Sequence, residues 1–159
     1  MTTAEFWHLI ERVGRGDCET QALAMEKELR ALAPAEIAAF KERFQEQMNR
    51  AYTWDLWGAA FVINGGCSDD GFEYFRAWLL MLGRDTLDRA LADPEFLLDA
   101  AQDPPFECEA VLYVPATVYE SLTGKALPPG PAQPNEPAGE PWEEDDLDSR
   151  FPRLSEAFG

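Results

Sequence analysis

The sequence predicts a mostly α-helical protein, a compact multi-helix bundle around a central αα-hairpin, followed by a Pro-rich acidic C-terminal tail. Three observations predict it. Apolar residues recur at three- and four-residue steps through the N-terminal third. The runs begin at capping residues and end at Gly or before Pro. Seven of the twelve prolines then fall between Pro128 and Pro152, where helical patterning stops.

The first helix is expected to start at Thr2, with Glu5 three residues on to complete a capping box. Phe6, Leu9, Ile10 and Val13 form its apolar stripe, and Gly14 ends it. Asp17 opens a second helix with Leu23, Leu29 and Leu32 as core positions. Pro34 suits the first turn of a third, in which Ile37, Phe40, Phe44 and Met48 share one face.

The stretch from Tyr52 to Ile63, YTWDLWGAAFVI, has almost no polar face, so a helix there must be covered nearly all round. Asn64-Gly65-Gly66 supplies a left-handed C-cap. Ser68 caps the next helix, and Asp69 and Asp70 lie in its first turn, where the helix dipole favours negative charge. Phe72, Phe75, Trp78, Leu79 and Leu82 follow before Gly83. Two such helices joined by a tight turn make the central hairpin.

Short helices are expected over 85–92 and 94–101, and a longer one over 107–122, bent or ended by Pro115. A short strand over 110–114 is the alternative. The domain organisation read from these signals is a helical domain over 1–125, a Pro-rich linker over 126–141, and an acidic segment over 142–159. Trp142, Phe151, Leu154 and Phe158 would dock that last segment on the body.

Thirteen Lys and Arg face thirty Asp and Glu, a net charge of −17. Such a surface repels nucleic-acid phosphates and anionic membranes, so direct nucleic-acid binding and membrane association are not expected. It suits a basic protein partner. Cys18, Cys67 and Cys108 are odd in number and far apart, with no CxxC, so neither a zinc site nor a disulfide framework is indicated. No secretory leader is visible, and a cytoplasmic location is expected. The sequence contains no phosphate-cradling, dinucleotide, zinc-protease or nucleophile-elbow motif, so no cofactor is expected. His8, the only histidine, lies opposite the apolar stripe of its helix and is expected in solvent.

The candidate site is the turn from Asn64 to Glu73. Asp69, Asp70 and Glu73 fall within one helical turn and are the residues a hard cation would use, if any. Trp54, Asp55, Trp57, Tyr74 and Arg76 join them as candidates, because aromatics beside acids can line a pocket for a cationic or planar ligand. Arg76 and Arg50 are expected to pair with Asp55 or Glu73. Cys67 is expected to be a small, inert core thiol, since neighbouring acids disfavour thiolate.

The central stretch WDLWGAAFVINGGCSDDGFEYFRAWL resembles the signature of an uncharacterised bacterial family, largely actinobacterial, that carries a domain of unknown function. EFWHLIERV, LYVPATVYESLTG and PWEEDDLDSRFPRL are similar to its other segments. Some members join the domain to a WGR module, which implies a role in regulation or stress response. The resemblance supplies no activity, cofactor or catalytic residue. Three functions follow as expectations. The first is an acidic interaction or regulatory module for a protein partner. The second is a small enzyme or a ligand- or cation-binding protein with its site at the Asn64–Glu73 turn. The third is a nucleic-acid mimic or toxin-neutralising protein.

Overall fold

A computed structural model describes residues 1–159 and contains ten α-helices with no named strand. Thr2 caps α1 (Thr3–Val13) with the expected box: its hydroxyl accepts from the Glu5 amide, and the Glu5 carboxylate accepts from the Thr2 amide. Asp17 caps α2 (Cys18–Arg30), and Pro34 occupies the first turn of α3 (Pro34–Arg50). Phe6 of α1 packs on Phe40 and Phe44 of α3, with ring centroids 5.2 and 6.1 Å apart, so an aromatic cluster joins these two helices.

Leu23 is a correction to the expected core, because it is 64% exposed. Gln21, Met25 and Leu29 are the inward residues of α2, and a residue two places from Gln21 points to the opposite side of a helix. Gln21 is a buried polar group with partners: its side-chain amide donates to the carbonyl oxygens of Gly14 at 2.9 Å and Met81 at 3.4 Å.

The central hairpin is α4 (Trp54–Asn64) and α5 (Asp69–Leu80). Thr53 and Ser68 cap the two helices through their hydroxyls, and Gly65 takes the left-handed conformation at φ 66° that stops α4. The indole N–H of Trp57 donates to the Cys67 carbonyl at 2.9 Å, fastening the turn back onto α4. Further along come α6 (Arg84–Ala92), α7 (Leu97–Ala100), α8 (Val114–Thr123), α9 (Leu147–Arg150) and α10 (Pro152–Phe158).

The single helix expected over 107–122 is instead three pieces. Residues 101–109 are extended, Ala110–Leu112 form one 3₁₀ turn, and α8 starts only at Val114. Pro115 therefore stands in the first turn of α8, where its missing N–H costs nothing, and it bends no helix. Ala110 is exposed, while Val111 and Val118 are buried.

The expectation of no disulfide is overturned, since Cys18 and Cys108 are bonded across a sequence separation of 90 residues. Spacing could not reveal it. The pair meets because the extended segment crosses α5, with the Cys108 amide donating to the Tyr74 carbonyl at 2.9 Å, and arrives at the start of α2. Such a bond persists in an oxidising compartment and is reduced in a reducing one. No helix of the structure is long and apolar enough to cross a membrane.

Beyond α8 the chain runs back over the body. Ala138 exchanges two main-chain hydrogen bonds with the Tyr52–Trp54 corner, at 3.0 and 2.8 Å. The Trp142 indole N–H donates to the Trp54 carbonyl at 2.7 Å, and Leu147, Phe151 and Leu154 are buried. They close on α4 at Gly58. A Cβ placed there would lie 2.8 Å from the Phe151 ring and 3.0 Å from both Leu147 and Trp142. The glycine in the middle of α4 is thus the seat of the tail.

Candidate functional site

The aromatic residues of the hairpin stack as a column. Trp54 lies on Trp57 (centroids 5.5 Å, planes 8° apart), and Trp57 lies on Phe72 (5.3 Å, 11°). The column ends in a guanidinium. Arg76 is fully buried, with its Cζ 4.7 Å from the ring centroids of both Phe72 and Tyr52. Its Nη1 donates to the Met48 carbonyl at 2.8 Å, its Nε to the Phe72 carbonyl at 3.4 Å, and its Nη2 to the Gln133 side-chain oxygen at 3.3 Å.

The expected pairing of Arg76 or Arg50 with Asp55 or Glu73 does not occur. Arg50 binds Asp88 at 2.7 Å, and Asp55 binds Arg150 of the tail at 3.5 Å. Asp55 is on the exposed side of α4, out of reach of the buried face of α5. Arg76 makes no carboxylate contact within 4.0 Å, and burial pulls its pKa down to about 10, opposed mainly by the charge of Glu73. It stays cationic at neutral pH. The π-faces and carbonyls supply the negative potential a carboxylate would otherwise bring.

The acidic turn is a different environment. Asn64, Asp69 and Asp70 are exposed, and Glu73 and Tyr74 are half-buried. Asp69 accepts from the Tyr52 hydroxyl at 3.5 Å, and burial together with that carboxylate raises the tyrosine pKa. No three acidic, cysteine or histidine side chains anywhere in the chain gather in a way that could hold a metal ion. Burial, assisted by Asp69 and Glu107 and opposed by Arg76, pushes the Cys67 thiol up to about 11. Burial and the Glu109 carboxylate likewise raise Tyr74, while the Glu109 hydrogen bond raises Tyr113 to about 12. Asn64 and Cys67 line a cleft of about 520 Å³ closed on its far side by Pro104–Glu107. Asp69, Asp70 and Glu73 are absent from that lining.

Two further concavities use residues the sequence reading did not group. The largest, about 690 Å³, lies between the start of α2 and the extended segment. Trp78 and Leu82 form its floor, and Asp17, Glu19, Asp103 and Glu107 stand around it with Arg15 as the one basic residue. Cys18 also lines it, so the disulfide ties its two walls together. The other, about 390 Å³, is bounded by α3, α5, the 3₁₀ turn and residues 130–133. No local spacing signals either one, since each is assembled from separate segments of the chain, far beyond the reach of one helical turn.

An all-α bundle with a stacked aromatic–guanidinium centre and acid-rimmed clefts is the class this geometry defines. The chain belongs to the DUF4240 family, described as proteins of unknown function, whose profile matches residues 1–121. The match spans α1 to most of α8 and includes the hairpin and the largest cleft, but not the segment that seats on Gly58. No curated protein and no solved structure matches the chain.

Proposed function

We propose that this protein is an acidic interaction module that receives a basic segment of a protein partner in the cleft floored by Trp78. The observation that carries this reading is the lining of that cleft. An aromatic side chain, Trp78, lies among four carboxylates of two separate segments, with a volume large enough for a long side chain. A Lys or Arg side chain entering there meets the indole face by cation–π attraction and the carboxylates by charge-assisted hydrogen bonds. The net charge of −17 steers a basic partner toward the surface before contact and rejects acidic ones. A regulatory role fits such a module, because docking is reversible and sensitive to ionic strength.

The test is calorimetric titration of the full chain with an Arg- and Lys-rich peptide and with a Glu-rich control. Binding of the basic peptide is expected to weaken at least tenfold between about 50 and about 300 mM salt. Asp103→Asn with Glu107→Gln is expected to weaken it by a similar factor at low salt. Equal binding by the double variant, or binding indifferent to salt, overturns the reading.

A further inference from the structure

Among the thirteen basic residues, Arg76 is fully buried and Lys41 half-buried, and neither is bonded to a carboxylate. Both belong to one place. Lys41 lines the cleft of about 390 Å³, and Arg76 lies directly behind its wall, donating to Met48 and Gln133, which are lining residues themselves. Glu73 faces the same space from α5.

Glu73 and Lys41 feel each other's charge, yet they remain more than 4.0 Å apart and form no ion pair. Burial lowers the Lys41 pKa, and Glu73 acts in the opposite sense. An ammonium and a carboxylate are thus held on a concave surface without neutralising each other directly. Met48, Leu112 and Pro131 are the apolar part of the lining, which Gln45, Tyr113 and Gln133 share. A concavity of about 390 Å³ with two opposite charges on its lining suits a small ligand better than a macromolecule.

We propose that this cleft binds a small zwitterion, an α-amino acid with an apolar side chain. Its carboxylate meets Lys41, with the Arg76 guanidinium adding positive potential from behind. Its ammonium meets Glu73, and its side chain lies against Met48, Leu112 and Pro131. Neither a simple anion nor a simple cation satisfies both charges, so each would leave one of them unanswered. Gly130, Pro131 and Gln133 supply one wall from outside the family-matched residues 1–121, so the pocket is completed by residues C-terminal to that match. The site is independent of the Trp78 cleft, and either can fail without the other.

The experiment is a thermal-shift and ¹⁵N-NMR titration of the full chain with L-leucine and L-methionine. The controls are 4-methylpentanoate and 3-methylbutylamine, which keep the leucine shape and carry one charge each. At about ten times the dissociation constant the zwitterions are expected to raise the melting temperature by about 3–6 °C. The one-charge analogues should raise it by less than about a third of that. Amide shifts should centre on Lys41, Leu112 and Gly130. Lys41→Met and Glu73→Gln, each checked for wild-type helicity, should weaken binding about tenfold or more. The proposal is overturned by no shift with either amino acid, by equal shifts with the analogues, by amide shifts centred elsewhere, or by undiminished binding in both variants.

Discussion

The two sides of α5 carry opposite chemistry under opposite conditions. On one side Asp69 and Asp70 stand in water at the helix N-terminus, where the dipole welcomes them and solvent screens them. On the other a single guanidinium is fully buried between two rings and makes no ion pair. Three acids within five residues draw the eye in a sequence, whereas one arginine does not. Their structural weights are reversed. What a charge contributes is set by how much water it has lost, and the buried arginine has lost all of it.

Removing Arg76 is the hardest blow to that contrast. Arg76→Ala leaves the Met48 carbonyl without its donor and opens a void between Tyr52 and Phe72, at an expected cost of about 3 kcal/mol or more in urea unfolding. Arg76→Met, which refills the space without a charge, is expected to recover at least half of that loss. If both variants unfold within about 0.5 kcal/mol of wild type, the buried side of α5 is not where stability resides.

Next in size is the covalent tie across the outer edge of α5. Cys108→Ala, or full reduction, is expected to cost about 2–4 kcal/mol, because the bond closes a loop over 90 residues. An unchanged urea midpoint with and without reductant would show that the segment is held by packing alone. Gly58→Ala should cost about 1–3 kcal/mol through overpacking against Phe151, Leu147 and Trp142. It should also expose the tail to limited proteolysis and shift Trp142 emission to the red. A tail as resistant as that of wild type would contradict the seating described above.

The exposed side of α5 provides the small end of the scale. Asp69→Asn and Asp70→Asn are each expected to change stability by no more than about 0.5 kcal/mol. The thiol between the two sides gives a pH test. With its pKa raised from 9.0 to about 11, Cys67 keeps its proton in the folded chain where the unfolded chain has begun to lose it. Its contribution to stability is therefore complete below about pH 9 and declines as pH rises toward 11. Iodoacetamide should accordingly label Cys67 at pH 8 much more slowly in the folded chain than in urea.

Local signals made most of the helices legible. The capping box at Thr2 and Glu5, the proline starting α3, and the Gly65 stop all act through neighbours within four residues, and α1 and α3–α5 follow from them. Alternation of core and surface on α2 was misread at Leu23, because Gln21 turns inward to bond Gly14 and Met81. A polar residue that finds buried acceptors cannot be told from a solvated one by pattern alone. The region from Glu107 to α8 was misread because its path is set by the bond to Cys18 and by the Tyr74 carbonyl, both distant in sequence. Of the candidate residues, Trp54, Trp57 and Arg76 do come together in one column. Asp55 leaves it for Arg150, and Asn64, Asp69 and Asp70 face solvent. Lys41, Gln133 and the carboxylates around Trp78 had no local pattern to reveal them.

The bond between Cys18 and Cys108 also changes what a cut means. Residues 18 to 108 make a closed ring from which α1 hangs on one side and α8 with the tail on the other. A protease that severs the Gly65-Gly66 turn leaves one covalent molecule, which runs as a single species on a denaturing gel. Only after reduction do the two pieces part.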